Sequence, residues 1–224
     1  MRVVVLLSGS GSNFQAVLDA VQAGRLAIEI VAVGSDTAEA YGLRRADAAE
    51  LETFVVDWAN YHSRTEWTKA LLTVVDSYAP DLVVSSGLMR VVGEEFVRAY
   101  HGRFINTHPA LLPSFPGAHA VRDALQAGVT TTGATVHLVD AGVDTGPIIA
   151  QTEVEVTADD DQDSLHERIK VVERDMLIDT LAAVAAGHTA LELAEQFAQK
   201  RRGRAGADAA EASKSTRVQT RLEL

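Results

Sequence analysis

VVVLLSGSGSN, Val3 to Asn13, decides the fold. Val3 to Leu7 is a continuous apolar run rich in β-branched residues, as a strand covered on both faces of a parallel sheet requires. Ser8 to Asn13 breaks that run with two glycines, and Phe14 to Ala23 then has the periodicity of a helix ended by Gly24. Strand, glycine-rich turn and helix, in that order, aim free backbone N–H groups at an anion, and the helix dipole adds to the pull. A dinucleotide site needs a third glycine where Phe14 stands, so the loop reads as a cradle for a single phosphate. A plain Gly/Ser turn is the bland alternative.

The pattern repeats outward from this unit. Ile28 to Val33 is a strand ending at Gly34-Ser35-Asp36, and Tyr41 to Leu51 a helix. Asp36 is where a nicotinamide enzyme would hold a ribose; otherwise it is a solvated turn residue or a helix cap. Phe54 to Val56 is a short strand. Ser63 and Glu66 form a capping box for a helix with the stripe Trp67, Ala70, Leu71, Val74, Val75 and Tyr78, and Pro80 stops it. Leu82 to Val84 is the fourth strand, running into the loop Ser85 to Arg90, and Glu94 to Tyr100 is a short helix. Alternating strand and helix predicts an α/β fold, doubly wound, with a mostly parallel sheet and helices on both faces. Ligands of such folds bind beyond the carboxyl ends of the strands.

FINTHPALLPSFPG, Phe104 to Gly117, lies at one of those ends. The strand stops at Asn106, Thr107 and His108, and Pro109, Pro113 and Pro116 stiffen the loop that follows. Alternation puts Asn106 and His108 on the same side, a donor pair suited to a carbonyl oxygen that turns negative during acyl transfer. Read alone, the pair is equally a turn former and a satisfied histidine. His119 to Ala127 is a helix, Thr132 to Val139 a strand with Thr135 and His137 on one face, and Asp140 to Gly146 a loop of glycine and aspartate. After the strand Ile148 to Val156, Ser164 and Glu167 cap the longest helix, with the stripe Leu165, Ile169, Val172, Met176, Leu177, Leu181 and Val184 and a stop at Gly187. Asp159, Asp160, Asp161 and Asp163 mimic a calcium loop but lack its glycine and closing glutamate, so they read as a solvated loop at a helix N-terminus.

Composition limits the partners. The chain has 224 residues, a net charge of −11 and no cysteine, which excludes disulfides and thiolate chemistry and disfavours nucleic acid or an anionic membrane. The first apolar run is too short for a signal sequence or a membrane span, so a cytoplasmic protein is expected. The histidines show no zinc spacing, so no metal is expected. Residues 1–187 are expected as one domain, 188–199 as a short helix, and the chain from Lys200 onward as a mobile tail.

The motifs GSGSN (Gly9 to Asn13), GLMR (Gly87 to Arg90), INTHPALLPSFPG (Ile105 to Gly117) and DAGVDTGPI (Asp140 to Ile148) together resemble the folate-dependent phosphoribosylglycinamide formyltransferases of purine synthesis, over Arg2 to about Gly187. The resemblance implies a Rossmann-like formyltransferase fold. It also implies transfer of a formyl group from 10-formyltetrahydrofolate, a co-substrate, to the amine of glycinamide ribonucleotide, by a monomer or homodimer acting on small molecules. It assigns Gly11, Ser12 and Asn13 to the ribonucleotide phosphate. Glu173, on the polar face of the long helix, falls to the ribose, and Lys170 is a further phosphate partner. It gives Arg64, the backbone of Met89, Arg90, Val91 and Val92, and Asn106 to the folate. Catalysis falls to Asn106, His108 and Asp144, the last holding His108 protonated by raising its pKa. Serine is frequent in the family where Ala110 stands, and bulkier acids or histidine near Ala118 to Val121, which leaves the acceptor side open in shape. Formyltetrahydrofolate hydrolases share the core but normally add an N-terminal regulatory domain, and methionyl-tRNA formyltransferases add a C-terminal barrel; neither addition is expected of this chain. A nicotinamide oxidoreductase, the alternative from another class, leaves Asn106, His108 and Asp144 without roles.

Overall fold

Val3, Val5 and Leu7 pack on one face of the first strand, β1 (Arg2–Leu7), and Val4 and Leu6 on the other, and none is more than 1% exposed. That double burial is why the run is apolar without alternation. The computed structural model describes residues 1–203, and β1 sits at the centre of their sheet. The helices and strands in chain order are α1 (Ser12–Gln22), β2 (Glu29–Ser35), α2 (Tyr41–Ala48), β3 (Thr53–Val55), α3 (Arg64–Ser77), β4 (Leu82–Ser85), α4 (Glu94–Ala99), β5 (Phe104–His108), α5 (Ala120–Gln126), β6 (Thr131–Leu138), β7 (Ile148–Glu155), α6 (Gln162–Ala185) and α7 (Ala190–Gly203). The sheet order is β3-β2-β1-β4-β5-β6-β7. The first five strands are parallel, and β6 and β7 are added antiparallel. The doubly wound, mostly parallel sheet expected from the alternation is the fold observed.

Two cores clothe the sheet. One gathers α1 (Phe14, Val17, Leu18), α2 (Leu43, Ala46) and α6 (Leu165, Ile169, Leu177, Leu181) over Val3, Val5 and Leu7. The other gathers Trp67, Leu71 and Val75 of α3 with Phe96 and Val97 of α4 over Val4 and Leu6. Burial of one such side chain contributes about 1.5–3 kcal/mol, so both layers are needed to hold the central strands dry. The chain order reverses direction between β1 and β4, whose ends lie side by side at Leu6 and Ser85. A crevice opens where the loops leaving those ends part.

Several boundaries differ from the sequence expectation, each for a tertiary reason. Asn106, Thr107 and His108 do not follow the strand but belong to it, because antiparallel pairing with β6 (Asn106 with His137, His108 with Thr135) extends the ladder. The long helix α6 is capped by Asp161, with Ser164 as the return partner, and not by Ser164 with Glu167. Ser63 does cap α3, accepting from the Glu66 N–H, but the Glu66 carboxylate reaches back to the His62 N–H. Asp159, Asp161 and Asp163 are exposed at the start of α6, as expected, while Asp160 is partly buried, binds Arg168 and accepts from the Thr157 N–H. After α6 the chain bends by 119° into α7, whose Ala190 and Ala194 join the first core. Residues 200–203 close α7, and the rest of the expected tail lies outside the described residues. No single described helix is long and apolar enough to cross a membrane.

Candidate active site

Four loops at the carboxyl edge of the sheet and the first half of α6 enclose a cleft of about 380 Å³. At one end lies the N-terminus of α1. The helix begins two residues earlier than its apolar pattern suggests, and its cap is Gly11, in the left-handed region at φ 66°. A Cβ at Gly11 would stand 2.7 Å from the Gly42 Cα, so glycine is required by both backbone and space. Among the described residues no side chain caps the helix, which leaves the N–H groups of its first turn open towards the cleft.

Glu173 closes this end from α6. The sequence reading puts it on a polar face, yet it is 4% exposed. Leu165, Ile169, Glu173, Leu177 and Leu181 recur every four residues, so the carboxyl stands in the middle of the buried stripe. Burial lifts its pKa to about 7, against hydrogen bonds from Asn13 and Thr107 and the charges of Lys170 and Arg174. The Asn13 Oδ1 beside it is buried and has no partner among the described residues. An orphaned acceptor next to a carboxyl suits a ligand carrying hydroxyl or amine donors. Lys170 lines the same cleft, with its Nζ 2.7 Å from Glu167.

The middle of the cleft is built on β5 and β6. Asn106 and His108 point the same way, as alternation predicts, and both line it. His108 is 4% exposed, and its Nε2 lies 2.8 Å from the Phe115 carbonyl oxygen. That oxygen can only accept, so Nε2 carries a proton. The other ring nitrogen, Nδ1, faces Asp144 Oδ2 at 3.4 Å. Asp144 is brought there by the Asp140–Gly146 loop, sits at φ 55°, and accepts from the Gly117 N–H at 2.8 Å. The two loops following β5 and β6 are thereby tied together over the imidazole.

Burial lowers the His108 pKa, and the Asp144 charge and the Phe115 carbonyl pull upward without cancelling it. The sequence expectation of a raised value is therefore corrected, because it counted the neighbouring charge and not the desolvation. Burial pushes the Asp144 carboxyl up, but the His137 ring, the Gly117 N–H and His108 bring it below its ordinary value, so it is ionised at neutral pH.

His137 is the residue that sequence reasoning leaves without a role. It is 2% exposed and stands opposite Asn106 in the β5–β6 ladder. Its Nδ1 lies 2.8 Å from the Leu138 carbonyl oxygen, which fixes the proton there. Nε2 is then free to accept from Asn106 Nδ2 at 3.2 Å, and Asp144 Oδ1 is 3.6 Å away. One Asn106 N–H is held by His137, and the second is left to the cleft. The alternation of Thr132 to Val139 is the signal for this, since it puts His137 on one face together with Thr135.

The far end of the cleft is the loop after β4. Met89, Arg90, Val91 and Val92 all line it, with Met89 69% exposed. The Met89 N–H donates to Ser8 Oγ at 2.7 Å and the Gly93 N–H to Thr68 Oγ1 at 2.9 Å. The Arg90 side chain turns away to Asp36, which is buried and not a solvated turn residue or a cap. Arg64 is exposed at the start of α3, and the structure does not bring it to the cleft. Among the described residues no group of His, Asp and Glu side chains is arranged to hold a metal ion.

The family model described as formyl transferase matches residues 1–181. A phosphoribosylglycinamide formyltransferase of Mycobacterium tuberculosis is 50% identical over 184 residues, covering 82% of this chain and 85% of the relative. Its namesake from Escherichia coli is 41% identical over 173 residues, covering 77% and 82%. The crystal structure of glycinamide ribonucleotide transformylase 1 from Symbiobacterium toebii superposes with a TM-score of 0.81 at 43% identity, over 84% of this chain and 88% of that one. The chain belongs to the formyl transferase family.

Proposed function

We propose that the cleft transfers a formyl group from 10-formyltetrahydrofolate to the amine of glycinamide ribonucleotide, the reaction that the names of its relatives describe. The observation that carries this reading is the meeting of Asn106, His108 and Asp144 midway between an uncapped helix N-terminus and an apolar rim. The α1 N-terminus, with Gly11, Ser12 and Asn13, takes the ribonucleotide phosphate, and Lys170 adds positive charge on the same side. Glu173 and the orphaned Asn13 Oδ1 take donors of the sugar. Met89 to Val92 receive the flat heterocycle of the folate, and Arg64 has no part in the cleft.

10-Formyltetrahydrofolate supplies the one-carbon unit and the nitrogen that leaves with the proton. The chain's own residues supply charge and position. Asn106 aims its free N–H at the formyl oxygen, on which negative charge grows as the amine attacks. His108 is held between two acceptors, which favour a second proton at Nδ1 against the burial that lowers its pKa, and in that form its positive charge lies beside the same oxygen. Asp144 is the carboxylate through which the proton shed by the amine passes. The new carbon–nitrogen bond forms, the old one breaks, and that proton ends on the folate nitrogen, so no external acid is consumed.

Small substrates suit a protein with net charge −11, in which attraction for phosphate comes from a local pocket. A cytoplasmic monomer or homodimer completes the reading. The test supplies 10-formyltetrahydrofolate with and without glycinamide ribonucleotide. Consumption only with the acceptor supports transfer. Consumption without it means hydrolysis, and no consumption in either case removes both readings.

A further inference from the structure

Asp36 lies outside the cleft, at the end of β2, yet it is tied to the cleft wall. Its Oδ2 accepts from Arg90 Nε at 2.9 Å, with the Asp36 side chain 4% exposed. Its backbone oxygen accepts from the Trp58 N–H at 3.1 Å. The Arg90 guanidinium carbon stands 4.9 Å from the Trp58 ring centre, and Trp58 packs edge-on against the fully buried Trp67. One residue thus fixes both the arginine and the ring on which the arginine stacks.

The segment so held needs holding. It leaves β4 through Gly87 at φ 82° and has no regular structure until Gly93. Ser8 ties it at Met89 and Thr68 at Gly93. Between those ties, the backbone N–H and C=O groups of Arg90, Val91 and Val92 have no hydrogen bond among the described residues, and they border the cleft. Unpaired backbone groups in a fixed order can read the amide-like edge of a heterocycle, but only if the segment keeps its shape. The Arg90 side chain is the tether in the interval. The Asp36 carboxylate is a costly way to build it, since its Oδ1 is buried with no partner among the described residues. A half-satisfied buried carboxylate contributes little to stability, so its value lies in what it positions.

We propose that Asp36 is a positioning residue for the folate: with Trp58 it holds Arg90, and through Arg90 it sets the Arg90–Val92 backbone that receives the heterocycle. The proposal rests on the formyl-transfer reading. Asp36 touches no substrate, so its effect falls on folate affinity and not on the acceptor or the chemical step.

The test is calorimetric titration of tetrahydrofolate into the whole protein, alongside steady-state kinetics with both substrates. Asp36→Asn, of equal shape and no charge, raises the tetrahydrofolate Kd and the KM for the formyl donor about tenfold. The acceptor KM and kcat at saturation stay within about twofold. Arg90→Gln gives the same pattern, and the double variant is no weaker than either single one, because both remove one tether. An unchanged Kd in Asp36→Asn overturns the proposal, as do additive losses or a fall in kcat and both KM terms together. Wild-type protein that binds no tetrahydrofolate overturns this proposal and the formyl-transfer reading together. Wild-type binding with an indifferent Asp36→Asn overturns the proposal alone.

Discussion

His137 Nε2 lies 3.2 Å from Asn106 Nδ2, across the one pair of strands in which antiparallel register sets the two residues face to face. The contact decides which Asn106 N–H points into the cleft. His137→Gln should therefore lower kcat about tenfold, roughly 1.4 kcal/mol of barrier, with both KM values nearly unchanged. In an Asn106→Ala background the same change should cost almost nothing more, because the group it orients is gone. Additive losses would assign His137 a separate role. The measurement is a double-mutant cycle on kcat.

Gly11→Ala probes the phosphate cradle. The new Cβ would meet the Gly42 Cα at 2.7 Å on a left-handed backbone, so the turn must shift. The acceptor KM should rise at least tenfold, the KM for the formyl donor should change by less than twofold, and Tm should fall. Donor and acceptor kinetics measured separately check this.

Glu173 and His108 give stability opposite dependences on pH. Glu173 titrates near 7 in the folded chain, above its unfolded value, so its contribution is full below the unfolded value of about 4.5 and lost as pH rises through 7. Glu173→Gln should remove that loss, with a gain over wild type at pH 8 of order 3 kcal/mol and little gain near pH 5. His108 is lowered, so its contribution is present above the unfolded value of about 6.5 and lost as pH falls through the folded value. His108→Gln should flatten the acid side only. Denaturant unfolding across pH 4–9 separates the two.

These titrations mark where the sequence could be read and where it could not. β1 was legible because a strand buried on both faces must be apolar throughout, and Asn106 and His108 because a strand alternates. Glu173 continues the four-residue spacing of Ile169 and Leu177, but an acidic residue invites assignment to the wet face. His137 had visible alternation but no visible partner. Asp36 and Arg90 are 54 positions apart and meet only through the order of β2, β1 and β4. The direction of the His108 pKa is illegible in the sequence for a related reason: a charge partner can be guessed from a motif, whereas burial is a property of the whole fold.

Asp144→Asn isolates the charge that faces His108. That charge works against desolvation, so its removal should lower the His108 pKa further. Activity should fall at neutral pH and return only in part on acidification, because a carboxamide in place of the carboxylate cannot pass the amine's proton. Titration of His108 by NMR in both proteins checks the coupling, and an unchanged value would dissolve it.

Asn106 is proposed to stabilise the oxygen of a formyl group in transit between two bound small molecules. The direct measurement is single-turnover transfer of a ¹³C-formyl label from 10-formyltetrahydrofolate to glycinamide ribonucleotide, followed by mass spectrometry, in wild type and Asn106→Ala. The label should appear on the acceptor amine in wild type, and the rate should fall ~10²–10³-fold in the variant, with substrate binding retained. Label released to solvent as formate by the wild type, or a variant slower by less than about fivefold, is incompatible with Asn106-assisted transfer.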